Sequence, residues 1–305
     1  MYHKEEVHYM LYIRNDATDP FYNQAFEEYI FEHCNPEEDI LLLWVNDPSL
    51  ICGRYQNVFQ EINMPLAYEQ SIPVIRRNTG GGTVYHDRGN LNYSIIRKRN
   101  EGENLDYDSF LTPVIDALNN IGVPAHKRNV CDIAIDNMKI SGSAQAVKKD
   151  RVLHHGTLLY NADLKNLRGL LKPAPGKMIC KAVGSVPSPV TNIIEHLQGD
   201  GYNSIEEFKE KFKTALMGKN GCETAAGEDV IAEVSKLKEE KYLTRQWNIG
   251  KGPKFEFYPE NKELYLKIEA GIVIDSDKKE YIGEFAEDVF REVYNEKNNQ
   301  ITGVR

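Results

Sequence analysis

The sequence predicts an α+β fold. Apolar runs of strand length and helical patterns are mixed throughout, without the strict βαβ alternation of a doubly wound sheet. Hydrophobic residues make up 41% of the 305 and aromatics 10%, which supplies a sizeable core. At roughly 150 residues per domain, this length predicts two domains, or one large domain with an appendage.

The elements follow in order. Residues 9–13 read as a strand. Asp19-Pro20 opens a helix in which Ala25, Phe26, Tyr29 and Ile30 recur at helical spacing. The run Ile40 to Val45 is continuously apolar, as a strand buried on both faces requires, and Asn46-Asp47-Pro48 ends it. Leu50 to Gly53 and Pro73 to Arg76 are further strands, the latter running into a glycine cluster. Asn92 to Ile96 reads as a strand and Phe110 to Ile121 as a helix. Asp132 to Ile135 and Met138 to Ser141 flank the turn pair Asp136-Asn137 and predict a hairpin. His154 to Tyr160 is another strand. Ser204 with Glu207 forms a capping box ahead of Phe208, Phe212 and Leu216. A charged helix covers about 228–240. Gly250, Gly252 and Pro253 then break the pattern, which places a domain boundary near 241. Strands near 255–258, 263–268 and 271–274 and a helix near 283–296 complete the chain.

Composition excludes several roles. Lys plus Arg total 37 against 46 for Asp plus Glu, and the net charge of −9 argues against coating nucleic acid. The five cysteines, Cys34, Cys52, Cys131, Cys180 and Cys222, are widely spaced with no CxxC pair, so neither a disulfide framework nor a zinc site is expected. The opening MYHKEEVHYM is too polar for a signal peptide, and Ile40 to Val45 is far too short to span a membrane. The expected location is a reducing cytoplasm.

Three stretches carry chemistry. Arg76-Arg-Asn-Thr-Gly-Gly-Gly-Thr-Val-Tyr-His-Asp87 places three glycines after a strand, where backbone approaches a ligand closely, with arginines beside them for phosphate or carboxylate. A glycine turn with two solvated arginines is the plain alternative. No GK[ST] or GxGxxG is present, so this is neither a P-loop nor a dinucleotide fingerprint. In Met138-Lys-Ile-Ser-Gly-Ser-Ala-Gln145, alternation sets Met138 and Ile140 on one face and Lys139 and Ser141 on the other. A lone strand lysine is usually a solvated edge guard, but the small residues after it call for close packing. In His154-His-Gly-Thr157, neighbouring histidines point to opposite faces and do not readily share a metal. His155 and Thr157 share a face suited to a polar ligand, while His154 reads as a core histidine.

Taken together and in order, these elements resemble the lipoate–protein ligase A family. Asp19-Pro-Phe-Tyr-Asn-Gln-Ala-Phe-Glu-Glu-Tyr29 resembles its opening helix motif; Leu43 to Pro48 and Gly53-Arg-Tyr-Gln-Asn57 are similar to its next signatures. RRNTGGGTVYHD, KISGSAQ and HHGTLLYNADL match its core motifs, and Gln246 to Pro253 resembles the start of its accessory domain. The resemblance implies a class II synthetase/biotin-ligase-like catalytic domain, a mixed β-sheet with flanking helices, over residues 1–240. A small, shortened α+β accessory domain is expected over 241–305. It implies that ATP, with Mg²⁺, adenylates lipoate and that the lipoyl group passes from lipoyl-AMP to a lysine. The acceptors would be lipoyl domains of 2-oxoacid dehydrogenases and the glycine-cleavage H protein, with no nucleic acid or membrane partner.

By match to the family motifs, Lys139 bridges the lipoyl carbonyl and the α-phosphate, and Arg77 contacts lipoate or nucleotide. Gly80, Gly81 and Gly82 pack against the lipoyl-adenylate, with Gly82, Thr83, Val84 and Tyr85 near the nucleotide. Ala144, His155 and Thr157 line the site, and Asp132 lies near the Mg²⁺-bound phosphate. Family members usually read Arg-Asn-Asp there; this chain reads Arg128-Asn-Val-Cys-Asp132. The usual arginine ahead of Thr191-Asn192 is also missing, and proline stands in that stretch. The rivals are a cysteine-dependent octanoyl or lipoyl acyltransferase, which needs Cys131 or Cys180 as nucleophile, and a non-catalytic lipoyl-binding relative. For docking an acidic acceptor, Arg97-Lys98-Arg99 and Lys148-Lys149-Asp150-Arg151 are the candidate basic clusters.

Overall fold

The computed structural model describes residues 10–35, 37–99, 106–148, 150–197, 202–260 and 262–301. The chain forms two compact units, each gathered from three separated stretches. The first takes Met1–Asp47, His86–Leu164 and Pro187–Leu237; the second takes Pro48–Tyr85, Lys165–Val186 and Lys238–Arg305. Residues 241–305 thus gather in one unit, and that unit also draws in Pro48–Tyr85 and Lys165–Val186 from the stretch expected to lie ahead of them.

The first unit is built on an eight-stranded mixed sheet. In order across the sheet its strands are Cys222–Ala225, Met10–Arg14, Asp39–Val45, Asn90–Lys98, Arg151–Leu159, Met138–Lys148, Asp132–Ile135 and His126–Lys127. The first three are mutually parallel and the remaining pairings antiparallel. This is the α+β architecture the sequence predicts. The apolar run of Asp39–Val45 lies between two other strands, and Ile40 to Trp44 are all buried. Leu41 and Leu43 join Tyr93, Ile95, Val152 and Leu158 in a core with helices Asp108–Asn120 and Ile205–Met217.

Helix starts follow their caps. Asp19 accepts the amides of Phe21 and Tyr22 at 2.9 and 3.3 Å, opening Pro20–His33. Ser204 Oγ accepts from Glu207 N at 3.2 Å, and Glu207 returns to Asn203 N at 3.0 Å, one residue earlier than a standard capping box. The strand expected from His154 begins at Arg151, and the hairpin strand from Met138 runs on to Lys148.

The second unit holds two small sheets. One is ordered Val74–Arg76, Ser49–Cys52, Val84–His86, and the glycine loop joins its two outer strands. The other is antiparallel: Gly176–Cys180, Phe255–Pro259, Leu266–Glu269, Ile272–Ser276. Their core centres on aromatic rings: Phe290 stands 4.4 Å from Phe59 and 4.7 Å from Phe257 between centroids, and helix Ala286–Ile301 carries it. The helix Glu228–Leu237 does not end in a plain break. It is followed by two π-helical turns, Lys238–Tyr242 and Gln246–Gly250, where the sequence reads only glycine interruption. Among the described residues no helix is long and apolar enough to cross a membrane.

His154 is fully buried in the first unit, stacked on Phe110 with centroids 5.1 Å apart and bonded through Nδ1 to Gln145 at 3.0 Å. Burial, reinforced by the charges of His155 and Arg97, pushes its pKa down from 6.5 to about 3. The ring is therefore neutral in the fold but takes a proton in the unfolded chain below pH 6.5 or so. Its contribution is complete above that pH and is lost as the pH falls toward 3. Urea unfolding of His154→Phe should show a shallower acid loss, by about 2 kcal/mol between neutral pH and pH ~4.5. Equal acid slopes in the two proteins would refute this.

Candidate active site

The first unit brings Lys139, Asp132, Gly142 and Thr157 together. Asp136 turns the hairpin at φ +51°, a conformation that Asp tolerates better than bulkier residues. The alternation is only half as expected: Ile140 is buried, whereas Met138, beside the turn, is exposed. A register shift between Ile133 and Ala134 accompanies the bend of the hairpin. Residues 189–191 run along Lys139: Lys139 N donates to Pro189 O at 2.9 Å, and Thr191 N donates to Lys139 O at 3.1 Å. Pro189 thus contributes a carbonyl to this contact.

Lys139 Nζ stands 2.7 Å from Asp132 Oδ1, with the carboxylate nearly buried. To get there the lysine arches over Gly142, where a Cβ would lie 2.7 Å from Nζ and 2.8 Å from Cε. The small residue after Lys139 is required by the lysine itself. Asn129 anchors the acid from both sides: its Nδ2 donates to Asp132 Oδ2 at 2.8 Å and its Oδ1 accepts Asp132 N at 3.0 Å. The two inserted residues, Val130 and Cys131, loop out without breaking that link, and Val130 is exposed. Thr157 Oγ1 lies 3.5 Å from Gly142 N. The Cys131 thiol is pushed up by burial and by Asp132, with Lys139 opposing, which is the wrong direction for a nucleophile.

His155, paired in register with Ala144, points to the opposite face from His154. Its Nδ1 lies 2.8 Å from Glu27 Oε1, and the same oxygen accepts a short hydrogen bond from Ser94 Oγ. Glu27 is a buried carboxylate on the opening helix, beside buried Asn23 and Gln24. Neither Glu27 nor Ser94 is singled out by sequence. Polar residues at helical spacing normally mark a solvated face, and only the tertiary fold turns this one inward.

The second unit holds the glycine loop. Arg77 spends its guanidinium on its own surroundings: Nη1 on Ile51 O at 3.1 Å, Nε on Thr79 Oγ1 at 3.0 Å and on Gly80 O at 3.2 Å. It braces the loop from beneath. Gly81 adopts φ +88°, which favours glycine, and its carbonyl rests against Gly53, where a Cβ would collide with it. Gly82 lies against Ser185, whose Oγ would be 2.8 Å from an added Cβ; around Gly80 such an atom would meet nothing within 4 Å. Thr83 is fixed through Oγ1 to Gln56 Oε1 at 2.8 Å and through N to Ser185 Oγ at 3.1 Å. Ser185 is in turn bonded to Glu61. Val84 is half-buried, and Tyr85 puts its ring in the second unit's core, so any approach of Tyr85 to a nucleotide falls to its backbone. Gln56, Glu61 and Ser185 also hold the glycine loop, a role that spacing did not reveal.

Four residues of the expected basic docking clusters meet acidic side chains where they stand. Lys98, Arg151 and Lys148 occupy the same rung of three neighbouring strands. Arg97 meets Asp39 at 3.3 Å, Lys98 meets Glu37 at 2.6 Å, and Lys148 pairs with Glu32. Arg151 binds Asp150 and the carbonyls of Phe31 and Cys34. Lys149 lies outside the described residues.

Comparison with known proteins gives a consistent result. Residues 19–217 match the model of the lipoyl protein ligase A/B catalytic domain. Lipoate–protein ligase 1 of Staphylococcus aureus is 38% identical over 249 residues, covering 81% of this chain and 75% of the relative. A crystal structure of lipoate–protein ligase A bound with ATP superposes with a TM-score of 0.65 at 26% identity, covering 79% of this chain and 98% of the other. A T. acidophilum protein assigned as a lipoate protein ligase, with lipoic acid bound, gives a TM-score of 0.65 at 25% identity over 79% of this chain and 99% of its own. All the motifs that suggested the resemblance except Gln246 to Pro253 lie inside the matched region, and the chain belongs to the lipoate–protein ligase family of enzymes.

Proposed function

We propose that this enzyme joins lipoate to ATP and then hands the lipoyl group to a lysine of a lipoyl domain. In the first step a lipoate carboxylate oxygen attacks the α-phosphorus, the bond to pyrophosphate breaks, and lipoyl-AMP forms. In the second the acceptor amine attacks the acyl carbon, AMP leaves with the bonding electrons, and an amide forms with loss of a proton. Both reactants of the first step are anions, so a fixed cation is needed where charge accumulates.

The observation that carries this reading is Lys139 held over Gly142 against Asp132. The ammonium is built in place before substrate arrives, and such preorganisation lowers the barrier rather than only tightening binding. Lys139 donates to the lipoyl carbonyl and the α-phosphate oxygens. Ala144, His155 and Thr157 line the acyl side, with His155 steadied by Glu27. Arg77 shapes the glycine loop, and Gly80, Gly81, Gly82, Thr83 and Val84 offer backbone to the adenylate. Asp132 suits a Mg²⁺ ion carried by the triphosphate, because Mg²⁺ there needs only one or two protein carboxylates beside phosphate and water oxygens. Among the described residues no cluster of three or more His, Cys, Asp or Glu is arranged to hold an ion alone. When bound, Mg²⁺ would neutralise phosphate charge, with Asp132 as its holder.

The acceptors in this reading are the lipoyl domains of 2-oxoacid dehydrogenase E2 subunits and the glycine-cleavage H protein, met in the cytoplasm. Residues 241–305 serve as an accessory domain to the activation step. Burial raises the Cys131 thiol, which argues against that cysteine as the nucleophile of a thioester route.

Wild-type protein should catalyse ATP–pyrophosphate exchange that depends on lipoate, and its absence would refute the reading. Lys139→Ala should lose about 10²–10³ of that rate, ~3–4 kcal/mol, while remaining folded. Gly142→Ala, which removes no reacting group but fills the path of the lysine, should lose tenfold or more in rate, as a roughly 1 Å misplacement can. Full activity in that variant would show that the arch over Gly142 is incidental. A protein with all five cysteines replaced by Ser or Ala should keep ATP-dependent ligation. An inactive but folded version would return the thioester route to contention.

A further inference from the structure

Arg76 lies next to Arg77 in the sequence and is wholly buried in the second unit. Its Nη1 donates to the carbonyls of Gly53, Arg54 and Gln56 at 2.9, 3.1 and 2.7 Å. Its Nε donates to Trp247 O at 3.2 Å. The backbone of the same residue reaches the same turn: Arg76 N donates to Asn248 Oδ1 at 3.0 Å and Arg76 O accepts from Trp247 Nε1 at 2.7 Å. Asn248 is itself tied to Tyr242 O at 2.6 Å, closing the two π-helical turns onto each other.

Among the described residues none of the partners of this guanidinium is a carboxylate, and its Nη2 is buried without a hydrogen-bond partner. Burying a charge in this way is costly, and an apolar residue would serve bare stability better. What Arg76 provides is connection. The three carbonyls it gathers belong to the loop that fixes the glycine loop. Gly53 receives the Gly81 carbonyl, Arg54 N donates to Thr79 O at 2.8 Å, and Gln56 holds Thr83 Oγ1 and Ser185 Oγ. One side chain thus links the turn at Gln246–Gly250 to residues 79–83 through residues 53–56.

We infer that Arg76 is a positioning residue for the activation step: it holds the glycine loop in its adenylate-binding shape and makes that shape depend on the docked Trp247-Asn248 turn. The inference rests on the ligase reading for its activity readout but not for its structural one. Acyl transfer from preformed lipoyl-AMP depends less on the linkage, because a ligand already bound along the loop supplies contacts that shape it.

The test uses the full chain in three forms: wild type, Arg76→Lys and Trp247→Phe. Lysine keeps the charge but lacks the fork needed to reach several carbonyls at once. Phenylalanine keeps an aromatic ring and removes only the Nε1 donor. Arg76→Lys should speed amide hydrogen exchange at residues 53–56 and 79–83 by tenfold or more. It should lower kcat/KM for ATP in pyrophosphate exchange by at least about tenfold, and leave transfer from supplied lipoyl-AMP within about threefold of wild type. Trp247→Phe should move each quantity the same way by a smaller amount, as loss of one hydrogen bond does; it stands in if the lysine variant fails to fold. Unchanged amide exchange at 53–56 and 79–83 would overturn the inference whatever the activity. Activation and transfer falling in parallel would also overturn it, by reducing Arg76 to general support. Loosened loops in a protein whose wild type shows no lipoate-dependent exchange would instead reject the ligase reading and leave the linkage standing.

Discussion

The geometry of the first unit depends on the period-two alternation of one strand, Arg151–Leu159, held between two antiparallel neighbours. Val152, His154 and Leu158 face one way and Leu153, His155 and Thr157 the other. His154 therefore joins Phe110 and Tyr93 in the core, while His155 meets Glu27 and Thr157 stands by Gly142. A slip of one residue would exchange the two sets, turning His155 toward Phe110 and His154 toward Glu27. Register is locked by close approach as well as by hydrogen bonds. Gly156 stands opposite Tyr93, and a Cβ there would lie 2.6 Å from the tyrosine hydroxyl, so the one residue without a side chain marks where the ring must pass.

Positive charge is spent in two different ways. Arg76 and Arg77 offer many donors in a rigid fork, and the fold uses them to gather carbonyls. Lys139 has a single flexible amine set against one carboxylate. The arginines beside the glycines read in sequence as ligand-binding cations, but much of their hydrogen bonding shapes the surface against which a ligand would lie. A surface count of basic residues is similarly misleading at Lys98 and Lys148, because Glu37 and Glu32 come from a distant part of the sequence to meet them.

Much of this was legible because local rules act over a few residues. Asp19 and Ser204 declare their helices through capping, the run at 40–45 declares a buried strand, and Asp136-Asn137 declares a hairpin with Lys139 on it. The residues proposed to act on the substrates, Lys139, the glycines and His155, could be singled out in sequence because they lie in short ordered motifs. Other features rest on partners far along the chain. The inward turn of Glu27 depends on Ser94 and His155. The strand Gly176–Cys180 exists by pairing with Phe255–Pro259, and the turns at 238–250 take their form with Trp247 and Asn248 bound to Arg76. No window of neighbouring residues contains both halves of such an interaction.

The interleaving of the two units bears on how the chain reaches this structure during synthesis. Residues 48–85 emerge early, but Phe255 and Phe290, the ring partners of Phe59, come from the last stretch. Phe59 therefore lacks its aromatic neighbours until most of the polypeptide has been made. Long loops must also close before those contacts repay the entropy of closing them, which slows folding. The nascent chain consequently carries exposed apolar surface for much of its translation, a period in which chaperone protection matters and in which an interrupted product would be unable to complete the second core.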